Sequence, residues 1–167
     1  MEYFRKKNYI FPIIGGILAI VALFTPTSFH TEPGNTYFVY FNQLYLETDP
    51  GPLIIGLLRL DLTLVVYSTI FSVIIYSSAL VSIILSIAYW RQSISPKGYK
   101  INAIVLATLI ALSTLAWIIM MEIFYRANGF PHWSIGGGAY IPHFGVIGPF
   151  IGSFFIIIGV LIKRNNN

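Results

Sequence analysis

The sequence predicts an all-α membrane protein: a four-transmembrane-helix bundle with a small extracellular β-lid between its first two helices. Three observations lead there. Residues 62–90 run without a single Asp, Glu, Lys, Arg or His, and about 20 apolar residues suffice to cross a bilayer core. Across the 167 residues, 56% are hydrophobic and only 10% charged, against about 25% charged in soluble domains. The basic residues are also sorted by loop. Arg5, Lys6, Lys7, Arg91, Lys97, Lys100, Lys163 and Arg164 fall on one side of the four apolar runs, and Arg59 and Arg126 on the other. Eight against two is a positive-inside pattern. It places both termini in the cytoplasm and the two longer loops, 25–61 and 126–143, outside.

The first apolar run, 9–24, follows the basic start. Such a start also opens signal peptides, but Phe24 and Pro26 break a small-x-small cleavage pattern. Pro12, Gly15, Ala19 and Ala22 form a stripe suited to close helix packing, so a retained helix is the favoured reading. The loop 25–61 is net acidic. Its segment Thr36 to Leu46 is rich in Tyr, Phe and Val, which is strand chemistry, and Asp49-Pro50-Gly51-Pro52 reads as a turn. Leu53 to Leu60 reads as a short interfacial helix. Because one strand cannot satisfy its own backbone, a small antiparallel sheet is expected at the membrane surface.

The second run, 62–90, carries its polar residues in order. Ser68, Ser72, Ile75, Ala79, Ser82 and Ser86 are spaced by alternating fours and threes, a single seam on a helix. Small side chains there let another helix approach closely. A short basic loop follows, with its turn at Ser95-Pro96-Lys97-Gly98. The third run is 101–125, with small positions Ala103, Ala107, Ala111 and Thr114. The fourth, 144–162, has Gly145, Gly148, Gly152 and Gly159 along one face, Gly148 and Gly152 making a GxxxG. The whole chain, 1–167, reads as one membrane domain.

Few residues carry chemistry. With no cysteine, disulfides, thiolate metal sites and thiol catalysis are excluded. The net charge of +4 reflects membrane sidedness rather than nucleic-acid binding. His30, His132 and His143 all lie in the outer loops, without helical i, i+4 spacing; interfacial filling is favoured over a metal site. Glu122, near the outer end of the third run, has Arg126 four residues on. A helix ion pair is favoured over a proton or cation site. Gly136-Gly137-Gly138 lacks a following Lys-Ser or Lys-Thr and reads as loop. No catalytic, cofactor or metal site is assigned. The candidate interaction surface is Tyr37, Phe38, Tyr40, Phe41 and Tyr45. As one strand, Tyr37, Val39 and Phe41 would face the bundle, and Phe38 and Tyr40 would face away.

The layout resembles the claudin and peripheral-myelin-protein type of four-span protein. Tyr40-Phe41-Asn42-Gln43-Leu44-Tyr45-Leu46 stands where that family has Gly-Leu-Trp, and Arg59 precedes the second span as a basic residue does there. Gly-Leu-Trp and the signature cysteines are themselves absent. The layout is also similar to small prokaryotic four-span proteins. Taken together, these readings point to a non-enzymatic, structural or accessory protein of the cell membrane. It would use its outer loops to engage a membrane-protein partner or a second copy of itself. The alternative is a small transporter or channel component using Glu122 and the hydroxyl-rich second span.

Overall fold

The computed structural model describes residues 9–32, 35–41, 43–48, 51–56, 62–127 and 141–161. Among these residues the elements run α1 (Ile10–Leu23), β1 (Ser28–Glu32), β2 (Asn35–Val39), β3 (Gln43–Thr48), β4 (Gly51–Gly56), α2 (Leu62–Trp90), α3 (Pro96–Ala127), β5 (Ile141–Pro142) and α4 (Phe144–Leu161). Three of the helices, Leu62–Trp90, Pro96–Phe124 and Phe144–Leu161, are long and apolar enough to cross a membrane. The first is shorter. Its 14 residues rise only about 21 Å, whereas the 29 of α2 rise about 43 Å.

Each helix packs against two others, α1 on α2 and α4, and α3 on α2 and α4. The small residues explain how closely. A Cβ added at Gly15 would collide with the Gly152 carbonyl oxygen, and one at Gly152 would collide with that of Gly15. At Gly16 it would lie 2.6 Å from Ile83 Cγ1 and 2.9 Å from the Ala79 carbonyl oxygen. The serine seam of α2 is buried along its length, with Ser68, Ser72, Ile75, Ala79, Ser82 and Ser86 all facing inward. Ala19, Gly148 and Gly159 are buried as well. The core they line is filled by Ile75, Ala79, Ala107, Ile110, Trp117, Met121 and Ile156.

The strands form one antiparallel sheet in the order β4-β3-β2-β1-β5. Three sequence expectations need correction here. The stretch 36–46 is two strands rather than one, because the chain leaves the ladder after Val39 and re-enters it at Gln43. Residues 53–56 belong to β4 rather than to an interfacial helix; they supply the second partner that β3 needs, with Leu46 opposite Leu53 and Leu44 opposite Ile55. Finally, Ser95-Pro96-Lys97-Gly98 opens α3 rather than forming a free-standing turn. Ser95 is the cap, accepting from the Gly98 amide at 3.2 Å through Oγ, and Pro96 sits at the first helical position, where its missing N–H costs nothing.

A corner between α1 and β1 ties sheet to helices. The Thr27 amide and Oγ1 both donate to the Val39 carbonyl oxygen, at 2.6 and 2.7 Å. The Thr27 carbonyl oxygen accepts from the His143 amide at 2.8 Å, and that of Pro26 accepts from the Gly145 amide at 2.8 Å. The end of β2 and the start of α4 are therefore fixed through two consecutive residues, Pro26 and Thr27.

Candidate functional site

The sheet end of the bundle holds most of the candidate residues, and the backbone decides where each one goes. Val39, the last residue of β2, is fully buried. Opposite it in the ladder, Ser28 is buried too, so this face of the sheet lies on the helices. Phe41, in the turn after β2, is 1% exposed. Its ring sits 4.5 Å, centroid to centroid, from that of Trp117 on α3. Trp117 in turn donates from Nε1 to Ser68 Oγ on α2 at 3.0 Å. Turn, α3 and α2 are thus joined through one aromatic pair and one hydrogen bond, with the polar edge of the indole satisfied where it is buried.

The opposite face of the sheet carries a row set by register. Phe29 on β1 pairs with Phe38 on β2 and with Ile141 on β5, and Phe38 pairs in turn with Tyr45, which pairs with Ile54. The rings of Phe29 and Phe38 lie 6.4 Å apart, and the His143 ring meets Phe29 edge-on at 6.1 Å. Phe29 and Phe38 are half-buried, and Ile141 is 55% exposed. Tyr40 does not join this face, as alternation along one strand would have it. The ladder has already ended at Val39, so Tyr40 turns toward α1 and α2. There it lines a groove of about 430 Å³ with Leu23, Phe24, Thr69, Ser72, Val73 and Tyr76. The side chains of Tyr37 and Tyr45 lie outside the described residues, as does His132.

Glu122 and Arg126 form an i, i+4 ion pair, Arg126 Nε donating to Glu122 Oε1 at 2.7 Å. The arginine side chain is 63% exposed, which limits such a pair to a few tenths of a kcal/mol, about 0.3–0.5. Among the described residues no three His, Asp or Glu side chains converge as a metal site would require. Several of the α2 hydroxyls are used within the protein. Besides Ser68, Ser86 Oγ donates to the Ser82 carbonyl oxygen at 2.7 Å and lies 3.2 Å from Tyr99 Oη. The Tyr99 ring stacks on Tyr89 at 4.3 Å.

Phe29, Ile141, Thr69 and Tyr76 were not among the residues singled out from sequence. Phe29 becomes a neighbour of Phe38, and Ile141 of Phe29, only through strand register, which no local pattern encodes. No protein-family profile matches the chain, and no curated protein shows detectable similarity to it.

Proposed function

We propose that this chain is a non-enzymatic, multi-pass membrane protein of structural or accessory role that engages a protein partner through its outer sheet. The observation that carries the reading is the apolar row across the sheet's outward face, Phe29, Phe38 and Ile141, beside a bundle whose interior is filled. A sheet that served only as a cap would need one apolar face. This one has Val39 and Ser28 packed inward and a second aromatic row turned away. Aromatic residues on a partly exposed surface are typical anchors of protein interfaces.

The packing argues against passage through the bundle. A conduction path would need polar groups in a hydrated cavity, yet the middle of the core is occupied by Ile75, Ala79, Ala107, Ile110 and Ile156. The Thr114 hydroxyl there bonds back to the Ile110 carbonyl oxygen at 2.8 Å. Charge asymmetry supports both termini in the cytoplasm, with the sheet outside.

A photo-crosslinking side chain at Phe38, in native membranes, tests the partner face. The expected result is a protein adduct that disappears when Phe29 and Ile141 are both changed to Ser. An adduct to lipid alone, or unfolding of that double variant, would make the row structural. Because the chain has no cysteine, single-cysteine variants read orientation directly. An impermeant reagent should label Asn35→Cys and Gly137→Cys from outside but not Lys97→Cys.

A further inference from the structure

The groove beneath Tyr40 is where oxygen-bearing side chains face outward from the bundle without satisfying one another. Thr69, Ser72 and Tyr76 stand at i, i+3 and i+7 on α2, one stripe about 10 Å long, and Tyr40 hangs over its upper end from the β2–β3 turn. The apolar walls are Leu23, Phe24 and Val73. Ser72 is buried and already has an interaction within the protein. Among the described residues, no hydrogen bond is made by the Tyr40, Thr69 or Tyr76 hydroxyl. Phe24 is 75% exposed and Tyr76 45%, so the groove opens sideways rather than into the core.

Its depth follows from α1. At the far end of the bundle, the Tyr9 ring stacks on Trp90 at 5.6 Å, a pair suited to one membrane interface. From there α1 rises about 21 Å to Leu23, within the roughly 30 Å of a hydrocarbon core. The groove therefore lies just under the outer headgroups. An unpartnered hydroxyl facing hydrocarbon is costly, because nothing there can hydrogen-bond it. Three hydroxyls in one groove call for a ligand with acceptors at that level. Among the described residues no charged side chain lines the groove, which disfavours recognition of a phosphate and favours a neutral carbonyl.

We propose that this groove binds a bilayer glycerolipid through its ester carbonyls, with the Tyr40, Thr69 and Tyr76 hydroxyls donating and an acyl chain lying against Leu23 and Val73. The inference rests on the membrane reading above but is independent of any protein partner. Its volume falls within the range of specific ligand sites, about 300–1,000 Å³.

The test compares two lipids that differ only at the acceptor. Purified, delipidated protein in detergent is titrated with dioleoyl phosphatidylcholine or with the matching dialkyl-ether lipid, and bound lipid is counted by native mass spectrometry. The ether keeps headgroup, charge and chains but lacks both carbonyls. The ester lipid should bind at least about five-fold more tightly, as expected for two or three hydrogen bonds of ordinary net strength. In the Tyr40→Phe, Thr69→Val, Tyr76→Phe triple variant, which preserves shape, that preference should vanish while ether binding stays as it was. Equal binding of the two lipids by the unmodified chain overturns the proposal, and so does a preference that survives the triple variant. Extraction of the chain from membranes by alkaline carbonate would instead defeat the membrane reading on which the site rests.

Discussion

Ser68 and Ser82 lie on the same buried seam of α2, four helical turns apart, yet their hydroxyls meet opposite fates. Ser68 Oγ receives the Trp117 indole N–H; Ser82 Oγ is buried with no partner among the described residues. Ser68→Ala takes this acceptor from the buried Trp117 indole N–H, and should lower stability by about 1–3 kcal/mol. Removing the second relieves a desolvation penalty, and Ser82→Ala should raise stability by roughly 1 kcal/mol. Thermal midpoints in detergent, measured on both variants, check the opposite signs. From sequence the two serines were indistinguishable, since spacing places both on the packed face but says nothing of what stands across from each. A third residue is strained by its backbone. Gln92, after α2, has φ of 62°, and around it the Ser93 amide bonds to the Ala88 carbonyl oxygen and the Gln92 amide to that of Tyr89. This is a helix ending that glycine usually makes. Gln92→Gly should therefore stabilise the protein by about 0.5–1 kcal/mol, read from the same midpoints.

At the scale of elements, the helices were legible because each is a long uninterrupted pattern. The small-residue stripes predicted which faces pack, and those of α1 and α4 meet at Gly15 and Gly152 with backbone against backbone. Gly152→Leu must push these helices apart, against Ala19 as well, whose Cβ and amide nitrogen lie 3.2 Å from the added carbon. Overpacking of this kind costs about 1–3 kcal/mol; an unchanged midpoint would contradict the close approach. The strands were less legible. The break between β2 and β3 falls between Val39 and Gln43, where neither Gly nor Pro announces it, so the stretch reads as one strand. The start of α3 was hidden for the opposite reason: Ser-Pro-x-Gly looks like a turn but serves as cap and first turn of a helix. Both errors come from local chemistry that fits two structures, with tertiary contacts choosing between them.

At the scale of the whole molecule, helices of unequal length leave a step. α2 runs on beyond the level where α1 ends, and the sheet sits over α1 and α4 in the space that remains. Phe41, buried at the sheet end, packs its ring against Trp117 of α3. It comes from a turn, held there because Val39 before it is anchored by both donors of Thr27. Truncating so large a buried ring usually costs about 3–5 kcal/mol. That loss should not fall evenly. The helices keep their own contacts at Gly15, Gly16 and the serine seam, whereas between the β2–β3 side of the sheet and the bundle few other buried rings intervene among the described residues. Phe41→Ala should therefore loosen the sheet first. Amide exchange in β2 should rise at least about ten-fold, a factor worth roughly 1.4 kcal/mol of local opening, while the helical circular dichroism at room temperature stays the same. Exchange that rises equally in β2 and in α4 would show instead that sheet and helices open as one unit, and that the sheet is as much a part of the core as any helix.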